Sequence, residues 1–249
     1  QAAKKRHIAA KLCIEPGMRV LDIGCGWGGM AIYLARECGA RVVGVTLSPE
    51  QRRIAEERAR AAGLADRVTF LEQDYRAVEG PFDRIVSVGM FEHVGVAHYD
   101  AFFRKLRALL ADDGIALLHT IARRNGPSAT NAFIRKYIFP GGYSPAISEI
   151  VPAIERTRMF INDIEVWRDH YGHTLRHWRE RFAANRDQAA ALYDERFCRM
   201  WEFYLATSEL SFLRGSHIVT QIQLSKDRAA VPRTRNYIEA WEARHPIGK

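Results

Sequence analysis

The sequence has 249 residues, 47% of them hydrophobic, which suits one sizeable domain with a buried core. It has no run of about 18 apolar residues that could span a bilayer, and its net charge of +8 is compatible with an anionic membrane surface or a nucleic acid. The four cysteines, at positions 13, 25, 38 and 198, form no Cys-x-x-Cys pair, which argues against a zinc knuckle or a disulfide framework and favours a reducing cytoplasm.

The first half of the chain alternates between short apolar runs and helical patterns, after an initial helix predicted over residues 1–12. The β-branched runs predict strands at 18–23, 41–46, 67–73, 83–88 and 114–121. Helical periodicity predicts helices at 28–38, 49–62 and 99–110. This alternation is typical of an α/β fold, in which a parallel sheet is covered by helices and ligands bind at the carboxyl ends of the strands.

The second half begins with a break in the pattern. Glycine and proline interrupt residues 123–160, and we interpret this stretch as an insertion over the mouth of the active site. Beyond it, the sequence predicts a strand at 161–168, helices at 169–186 and 189–213, and a final strand at 217–224.

A glycine-rich turn follows the first predicted strand. Gly24, Gly26 and Gly29 form a Gly-x-Gly-x-x-Gly pattern between a buried strand that contains Asp22 and a helix. Such glycines allow a tight turn and a close backbone approach to a nucleotide-type cofactor at the helix N-terminus. The alternative is a purely structural strand-to-helix turn.

The residues after the next strands indicate which cofactor would bind. Thr46 ends the second strand and Gln51 follows, so neutral side chains stand where a dinucleotide site has a carboxylate. No Gly-Lys-Ser/Thr phosphate loop is present either. S-adenosylmethionine (SAM) fits this pattern, with Asp74 after the third strand as an adenine-binding acid, or alternatively as a helix cap before Tyr75. The predicted cofactor-binding residues are Asp22, Gly24, Gly26, Gly29, Thr46, Gln51, Asp74 and Tyr75.

Ordered segments over nearly the whole chain resemble the cyclopropane fatty acid synthases, a family that includes the mycolic acid cyclopropane synthases. These segments are 20–29, 44–48, 82–95, 117–121, 136–143 and 195–205. The resemblance implies a Rossmann-like class I SAM methyltransferase with a mostly parallel seven-stranded sheet, in which 217–224 is the antiparallel strand. It also implies a single domain over 1–249, with a helical acyl-chain cap made of 122–160 and 169–213.

The resemblance further implies a reaction and its site. The family transfers a methylene group from SAM to the cis double bond of a lipid acyl chain, with bound bicarbonate as the general base. Glu92, His119 and Tyr171, with the backbone of Ile121, fall on the bicarbonate-binding positions. Bicarbonate could donate its O–H to the Glu92 carboxylate and accept from the other two side chains.

Structural alternatives remain for each of these residues. Glu92 could cap the helix near Tyr99, while His119 and Tyr171 could be satisfied core residues. The aromatic residues of the insertion are interpreted as an acyl-chain lining, although core packing explains some of them. The predicted lining residues are Phe133, Tyr137, Phe139 and Tyr143.

Two departures and one misleading pattern qualify the resemblance. The family's upstream Tyr-Ser-Cys segment has no match, so we expect the site in this chain to lack that part. Ser208 stands where some members have a cysteine, which has no step in this scheme, and Glu209 beside it is read as structural or substrate-lining. His170, His173 and His177 have helical spacing, but arginines on the same helix disfavour a metal there, so no metal site is predicted.

The primary functional hypothesis is cyclopropanation of unsaturated phospholipid acyl chains by a cytoplasmic enzyme that binds an anionic membrane peripherally. A second hypothesis is a methyltransferase that makes a branched methyl or methylene acyl chain, or that methylates a small-molecule amine. A third is a SAM-binding or lipid-carrying protein without chemistry. No nucleic-acid partner is expected, and the sequence leaves open whether the protein forms a homo-oligomer.

Overall fold

The computed structural model describes residues 1–247, so positions 248 and 249 of the expected 1–249 domain lie outside the described residues. The strands are β1 (Arg19–Ile23), β2 (Arg41–Thr46), β3 (Val68–Glu72), β4 (Phe82–Val88), β5 (Leu110–Arg123), β6 (Phe160–Trp167) and β7 (His217–Ser225). The α-helices are α1 (Ala2–Lys11), α2 (Gly29–Cys38), α3 (Pro49–Ala61), α4 (Tyr99–Leu109), α5 (Ala132–Tyr137), α6 (Ile147–Glu155), α7 (His170–Ala184), α8 (Arg186–Leu192), α9 (Glu195–Leu213) and α10 (Asn236–Arg244).

All seven strands belong to one sheet, in the order β3-β2-β1-β4-β5-β7-β6. Strands β1 to β5 pair in parallel, and β7 runs antiparallel between β5 and β6. The expected Rossmann-like sheet with one antiparallel strand is therefore confirmed. The strand order reverses at β1, because β2 and β3 lie on one side of it and β4 and β5 on the other. Such a reversal opens a crevice at the carboxyl ends of the strands.

Local sequence signals explain where several helices begin. Ser48 caps α3, because its Oγ accepts a hydrogen bond of 3.3 Å from the backbone N–H of Gln51, and Pro49 follows in the first turn. Asp194 caps α9 in the same way through the N–H of Phe197 at 2.6 Å. This cap separates α8 from α9, so the predicted helix 189–213 is interrupted at its start.

Helix α6 lies within the stretch expected to form the cap, but it belongs to the sheet layer. Its buried residues Ile150, Ala153 and Ile154 pack in the same cluster as Phe102 and Phe103 of α4. The expected cap range of 122–160 is therefore too wide, because this apolar helix face is needed to cover the sheet. A separate cluster containing Leu175 of α7 and Leu205 of α9 forms the core of the layer above the cavity. No helix among residues 1–247 is long and apolar enough to cross a membrane.

Candidate active site

A cavity of about 650 Å³ lies between the carboxyl ends of β4 and β5 and the helices α5, α7 and α9. Its wall is mostly apolar, with few polar groups, as is usual for small-molecule sites. Six predicted site residues line it: Glu92, Ile121, Phe133, Phe139, Tyr143 and Tyr171. The structure thus brings together residues that lie up to 79 positions apart in the chain.

Glu92 lies in a short 3₁₀ helix, Phe91–His93, immediately after β4. Its Oε1 accepts a hydrogen bond of 2.8 Å from the backbone N–H of Ile121, and its carbonyl accepts one of 2.8 Å from the N–H of Tyr143. Its Oε2 is buried without a hydrogen-bond partner among the described residues. Burial raises the pKa of Glu92, against the opposing effect of the Ile121 hydrogen bond. His98, not Glu92, occupies the N-cap position of α4.

The N–H of Ile121 is therefore already engaged by Glu92. A direct backbone contact between Ile121 and bicarbonate remains a prediction, and it would require this N–H to be shared. What the structure does show is that Ile121 holds one oxygen of Glu92 and leaves the other free at the cavity wall.

Tyr171 enters the cavity from the first turn of α7. Its ring lies 5.1 Å from that of Phe212 and 5.9 Å from that of Trp178, which fixes its orientation. Burial raises the pKa of Tyr171 to about 12, so its hydroxyl stays protonated and can donate a hydrogen bond.

His119 lies on the same face of β5 as Ile121, two residues earlier, but outside the residues that line the cavity. Its half-buried ring lies 3.2 Å, at Nδ1, from Nε2 of Gln221 and packs edge-on to Trp167. Burial and the nearby ammonium groups of Lys4 and Lys11 lower the pKa of His119 to about 3. The imidazole is therefore neutral near pH 7, and its catalytic role remains a prediction.

The aromatic residues of the insertion divide into two groups. Phe133 and Phe139 line the cavity and lie 4.9 Å from Phe203 and 6.1 Å from Tyr204, respectively, between ring centroids. Tyr137 does not line it: its ring packs against Phe133 at 5.5 Å, but it lies outside the wall and is 45% exposed. Its predicted role in the lining is therefore wrong.

The hydroxyl of Tyr143 donates to the Glu149 carboxylate at 2.9 Å, while its N–H holds the Glu92 carbonyl. Tyr143 thus connects α6 of the sheet layer to the loop that carries Glu92. Glu209 is structural, because Arg176 and Arg179 hold its two oxygens at 2.8 and 2.9 Å and join α7 to α9.

The glycine-rich turn adjoins this cavity. A Cβ at Gly24 would lie 2.6 Å from Cβ of Met90, only two residues before Glu92. Gly26 has a φ of +52° and faces open space, as a cofactor turn requires. Gly28 has a φ of +78°, and a Cβ there would lie 2.7 Å from Phe70, whereas a Cβ at Gly29 would meet nothing within 4 Å, so close packing requires glycine at 28 and not at 29.

The polar residues around the turn differ in how well they are satisfied. Asp22 is buried on β1, and its Oδ2 has no partner among the described residues. Burial raises the pKa of Asp22 to about 7, although a hydrogen bond from the backbone of Ala31 opposes this. Thr46 donates to Oε1 of Gln51 at 2.8 Å, which leaves the amide nitrogen of Gln51 available to a ligand.

Asp74 acts as the helix cap that the sequence allowed as an alternative. Its Oδ1 accepts from the N–H of Arg76 at 2.8 Å, and its two oxygens also receive the Arg76 guanidinium at 3.0 and 2.6 Å. The guanidinium lowers the pKa of Asp74. Tyr75 packs edge-on against Phe102 at 5.4 Å. Binding of a cofactor by Asp74 and Tyr75 remains a prediction.

Sequence reasoning missed several cavity residues on α9. They recur at helical spacing on one face of this helix: Phe203, Tyr204, Thr207, Ser208, Ser211 and Phe212. That periodicity could have identified them. Thr130, Ser144 and His217, by contrast, come from loops and a strand end and carried no such signal.

His170, His173 and His177 lie on α7 as predicted from their spacing, and His177 faces Glu180 at 3.4 Å. Within residues 1–247, no group of three histidine, cysteine or acidic side chains is arranged to hold a metal ion.

Comparisons with known proteins identify relatives of this chain. A family model described as mycolic acid cyclopropane synthetase matches residues 1–222. The cyclopropane-fatty-acyl-phospholipid synthase of Escherichia coli K12 is 47% identical over 82% of this chain and 52% of its own length. The tuberculostearic acid methyltransferase UfaA1 of Mycobacterium tuberculosis is 41% identical over 91% of this chain and 55% of its own.

Solved structures agree with this relationship. Mycolic acid cyclopropane synthase CmaA1, in complex with SAH and CTAB, superimposes with a TM-score of 0.83 at 32% identity, over 89% of this chain and 82% of that one. The chain spans about half the length of the curated relatives that it matches. On the family model, the relatives and the shared fold together, this chain belongs to the mycolic acid cyclopropane synthetase family.

Proposed function

We propose that this protein uses SAM to convert the cis double bond of unsaturated phospholipid acyl chains into a cyclopropane ring, with bicarbonate as the general base. The observation that carries the proposal is the free Oε2 of Glu92, buried in an apolar cavity beside Tyr171 and next to the glycine-rich turn. An unpartnered buried carboxylate oxygen is costly, so a ligand that donates to it is a physical explanation for its presence.

The residues at the turn fit SAM. The open face of Gly26 would accept the cofactor backbone, the free oxygen of Asp22 would bind its ammonium group, and the amide of Gln51 would reach a ribose hydroxyl. When bound, SAM supplies an electrophilic methyl group. The apolar wall of the cavity would exclude water from the acyl chain, and the Glu92 carboxylate would stabilise positive charge that develops on it.

The residues at Glu92 fit bicarbonate. Oε2 of Glu92 offers an acceptor and the Tyr171 hydroxyl a donor, which matches an anion that carries one O–H group. When bound, bicarbonate supplies the base that takes a proton from the new methyl group. His119 would be a further donor from the side of β5.

The rim of the cavity suits a phospholipid at a membrane surface. Phe139 and Phe203 line the cavity and are 46% and 54% exposed, so apolar rings surround its opening. Three exposed cations lie on the helices that carry cavity residues: Arg135 and Lys136 on α5 and Arg196 on α9. Lys136 and Arg196 contact Tyr137, and none of the three pairs with a carboxylate within residues 1–247. Exposed aromatic rings beside cations that have no carboxylate partner favour peripheral binding to anionic lipid.

A second candidate is addition of a methyl branch to a fatty acyl chain. It is favoured by the similarity to a tuberculostearic acid methyltransferase, which is nearly as strong as that to the cyclopropane synthase. Both reactions need the same cavity and cofactor, and they differ in how the acyl cation is resolved.

Mass spectrometry of acyl chains separates these candidates. The protein is incubated with methyl-labelled SAM and vesicles of cis-unsaturated phosphatidylglycerol. A gain of CH₂ with loss of the double bond supports cyclopropanation, whereas a gain of CH₂ with a retained or moved double bond supports a branched product. SAM binding without incorporation into lipid would contradict both and indicate a carrier protein.

The membrane proposal has its own test. Lys136→Glu combined with Arg196→Glu should weaken sedimentation with anionic vesicles. Arg41→Glu combined with Arg67→Glu makes the same charge change at the amino ends of β2 and β3, away from the cavity, and should not. Equal loss in both double variants would attribute binding to net charge alone.

A further inference from the structure

Three polar side chains form a row across the sheet beside the candidate site. In the register of the strands, His119 of β5 pairs with Gln221 of β7, and Gln221 pairs with Glu165 of β6. Cross-strand partners of this kind lie on the same face of a sheet with adjacent Cβ atoms. Gln221 is therefore the residue through which the outer strands contact His119.

Gln221 is completely buried, which is unusual for a glutamine that is not fully hydrogen-bonded. Its Nε2 lies 3.2 Å from Nδ1 of His119, while its Oε1 has no partner among the described residues. The oxygens of Glu165 have other partners instead: Oε2 lies 3.0 Å from Lys11 and 2.8 Å from His7, and Oε1 lies 3.0 Å from Arg235. The amide of Gln221 is thus left to His119.

A neutral imidazole carries one ring proton, and the hydrogen bond at one nitrogen decides where that proton resides. If the amide of Gln221 donates to Nδ1, this nitrogen has no proton, and the proton must be on Nε2. Nε2 has no hydrogen-bond partner within residues 1–247 and belongs to a ring that is only half-buried. It is therefore the nitrogen available to a ligand.

We propose that Gln221 is a positioning residue, which holds His119 as the Nε2–H tautomer so that the ring acts as a hydrogen-bond donor to an anion and not as a base. The proposal rests on the proposed function only for the identity of that anion. It explains why a buried glutamine is placed opposite the histidine, and it assigns the removal of the proton to the bound base and not to the imidazole.

The tautomer can be read directly from the protein without substrate. In ¹⁵N-labelled wild-type protein, two-bond ¹H–¹⁵N correlations of the His119 ring should show a protonated Nε2 and an unprotonated Nδ1. A protonated Nδ1 in the wild type would overturn the proposal, and this measurement needs no variant to fold.

Variants at Gln221 test whether this residue determines the tautomer of His119. At a pH where the new side chain of Gln221→Glu is ionised, its carboxylate can only accept at Nδ1, so the proton should move to that nitrogen, and kcat should fall by about 10- to 100-fold with KM for SAM unchanged. Gln221→Met should leave a mixture of tautomers. Gln223→Met is the matched control, because Gln223 is buried on the same strand but donates to Lys11 and Tyr237, so this variant should lose stability and keep the wild-type tautomer.

An unchanged tautomer in Gln221→Glu and Gln221→Met would also overturn the proposal. The outcome is separate from that of the proposed function. If the tautomer is as expected but His119→Ala keeps full turnover, then the catalytic role of His119 fails while the role of Gln221 in orienting it stands.

Discussion

Two carboxylates that follow parallel strands of the same sheet have opposite environments. Asp74, after β3, is exposed enough to be satisfied by Arg76, which lowers its pKa. Glu92, after β4, has a buried oxygen, Oε2, without a partner among the described residues, and burial raises its pKa. Both occupy a strand end where ligands bind in such folds, but only Glu92 has an unsatisfied atom inside a cavity. The environment of a carboxylate, and not its place in the sheet, therefore indicates its chemical role.

The largest expected effect comes from replacing each of the two carboxylates with its amide, in two separate variants. Glu92→Gln retains an oxygen for the Ile121 N–H, so the fold should persist, but turnover should fall by about 100- to 10,000-fold, with SAM binding intact. Asp74→Asn should keep kcat and alter only the Kd for SAM. Steady-state kinetics and calorimetric SAM titration measure both. Comparable losses of kcat in the two variants would contradict the proposed difference in role between Glu92 and Asp74.

A third strand-end carboxylate, Asp22, extends the comparison to stability. Its pKa is raised in the folded protein to about 7 from an ordinary value of 3.8, so the folded state holds the proton more tightly. Ionising Asp22 in the folded protein therefore lowers the free energy of unfolding. This destabilisation is absent below about pH 4, grows as the pH rises and is complete above about pH 7. Asp22→Asn should therefore increase the free energy of unfolding relative to wild type, by about 2 kcal/mol more at pH 8 than at pH 5.5.

Urea denaturation of both proteins at the two pH values checks this. A stability difference that does not change with pH would show that Asp22 is not the group whose ionisation opposes folding.

The hydroxyl of Tyr171 is the hydrogen-bond donor proposed to act together with Glu92, and its removal tests the same site. Tyr171→Phe keeps the packing against Phe212 and removes only the hydroxyl, so turnover should fall by about 10- to 100-fold without a change in Tm. Tyr137→Phe is the control, since Tyr137 lies outside the cavity, and it should leave turnover unchanged. A loss of activity in Tyr137→Phe alone would reverse the assignment of the lining.

The sheet and the glycine-rich turn could be predicted because their signals are local. Strands β1 to β4 are short, mostly apolar runs, and Ser48-Pro49 marks a helix start by itself. Helix α6 was missed because Pro145 and the internal Pro152 resemble loop punctuation, while burial against α4 stabilises the helix. Tertiary packing of this kind is not visible in a local pattern.

The details of the site depend on distant contacts. Glu92, His119 and Tyr171 could be named through a family resemblance, but the hydrogen bond between Ile121 and Glu92 joins positions 29 residues apart. The pairing of His119 with Gln221 spans 102 residues and follows from the strand register alone. The close packing of Gly28 was not predicted, because its near neighbour, Phe70, comes from another strand.

The most direct test of the account is the dependence of turnover on bicarbonate. In degassed, bicarbonate-free buffer the wild-type rate should fall and then recover on addition of bicarbonate, whereas the residual rate of Glu92→Gln should not respond. A wild-type rate that is indifferent to bicarbonate would contradict the claim that the free oxygen of Glu92 holds the catalytic base.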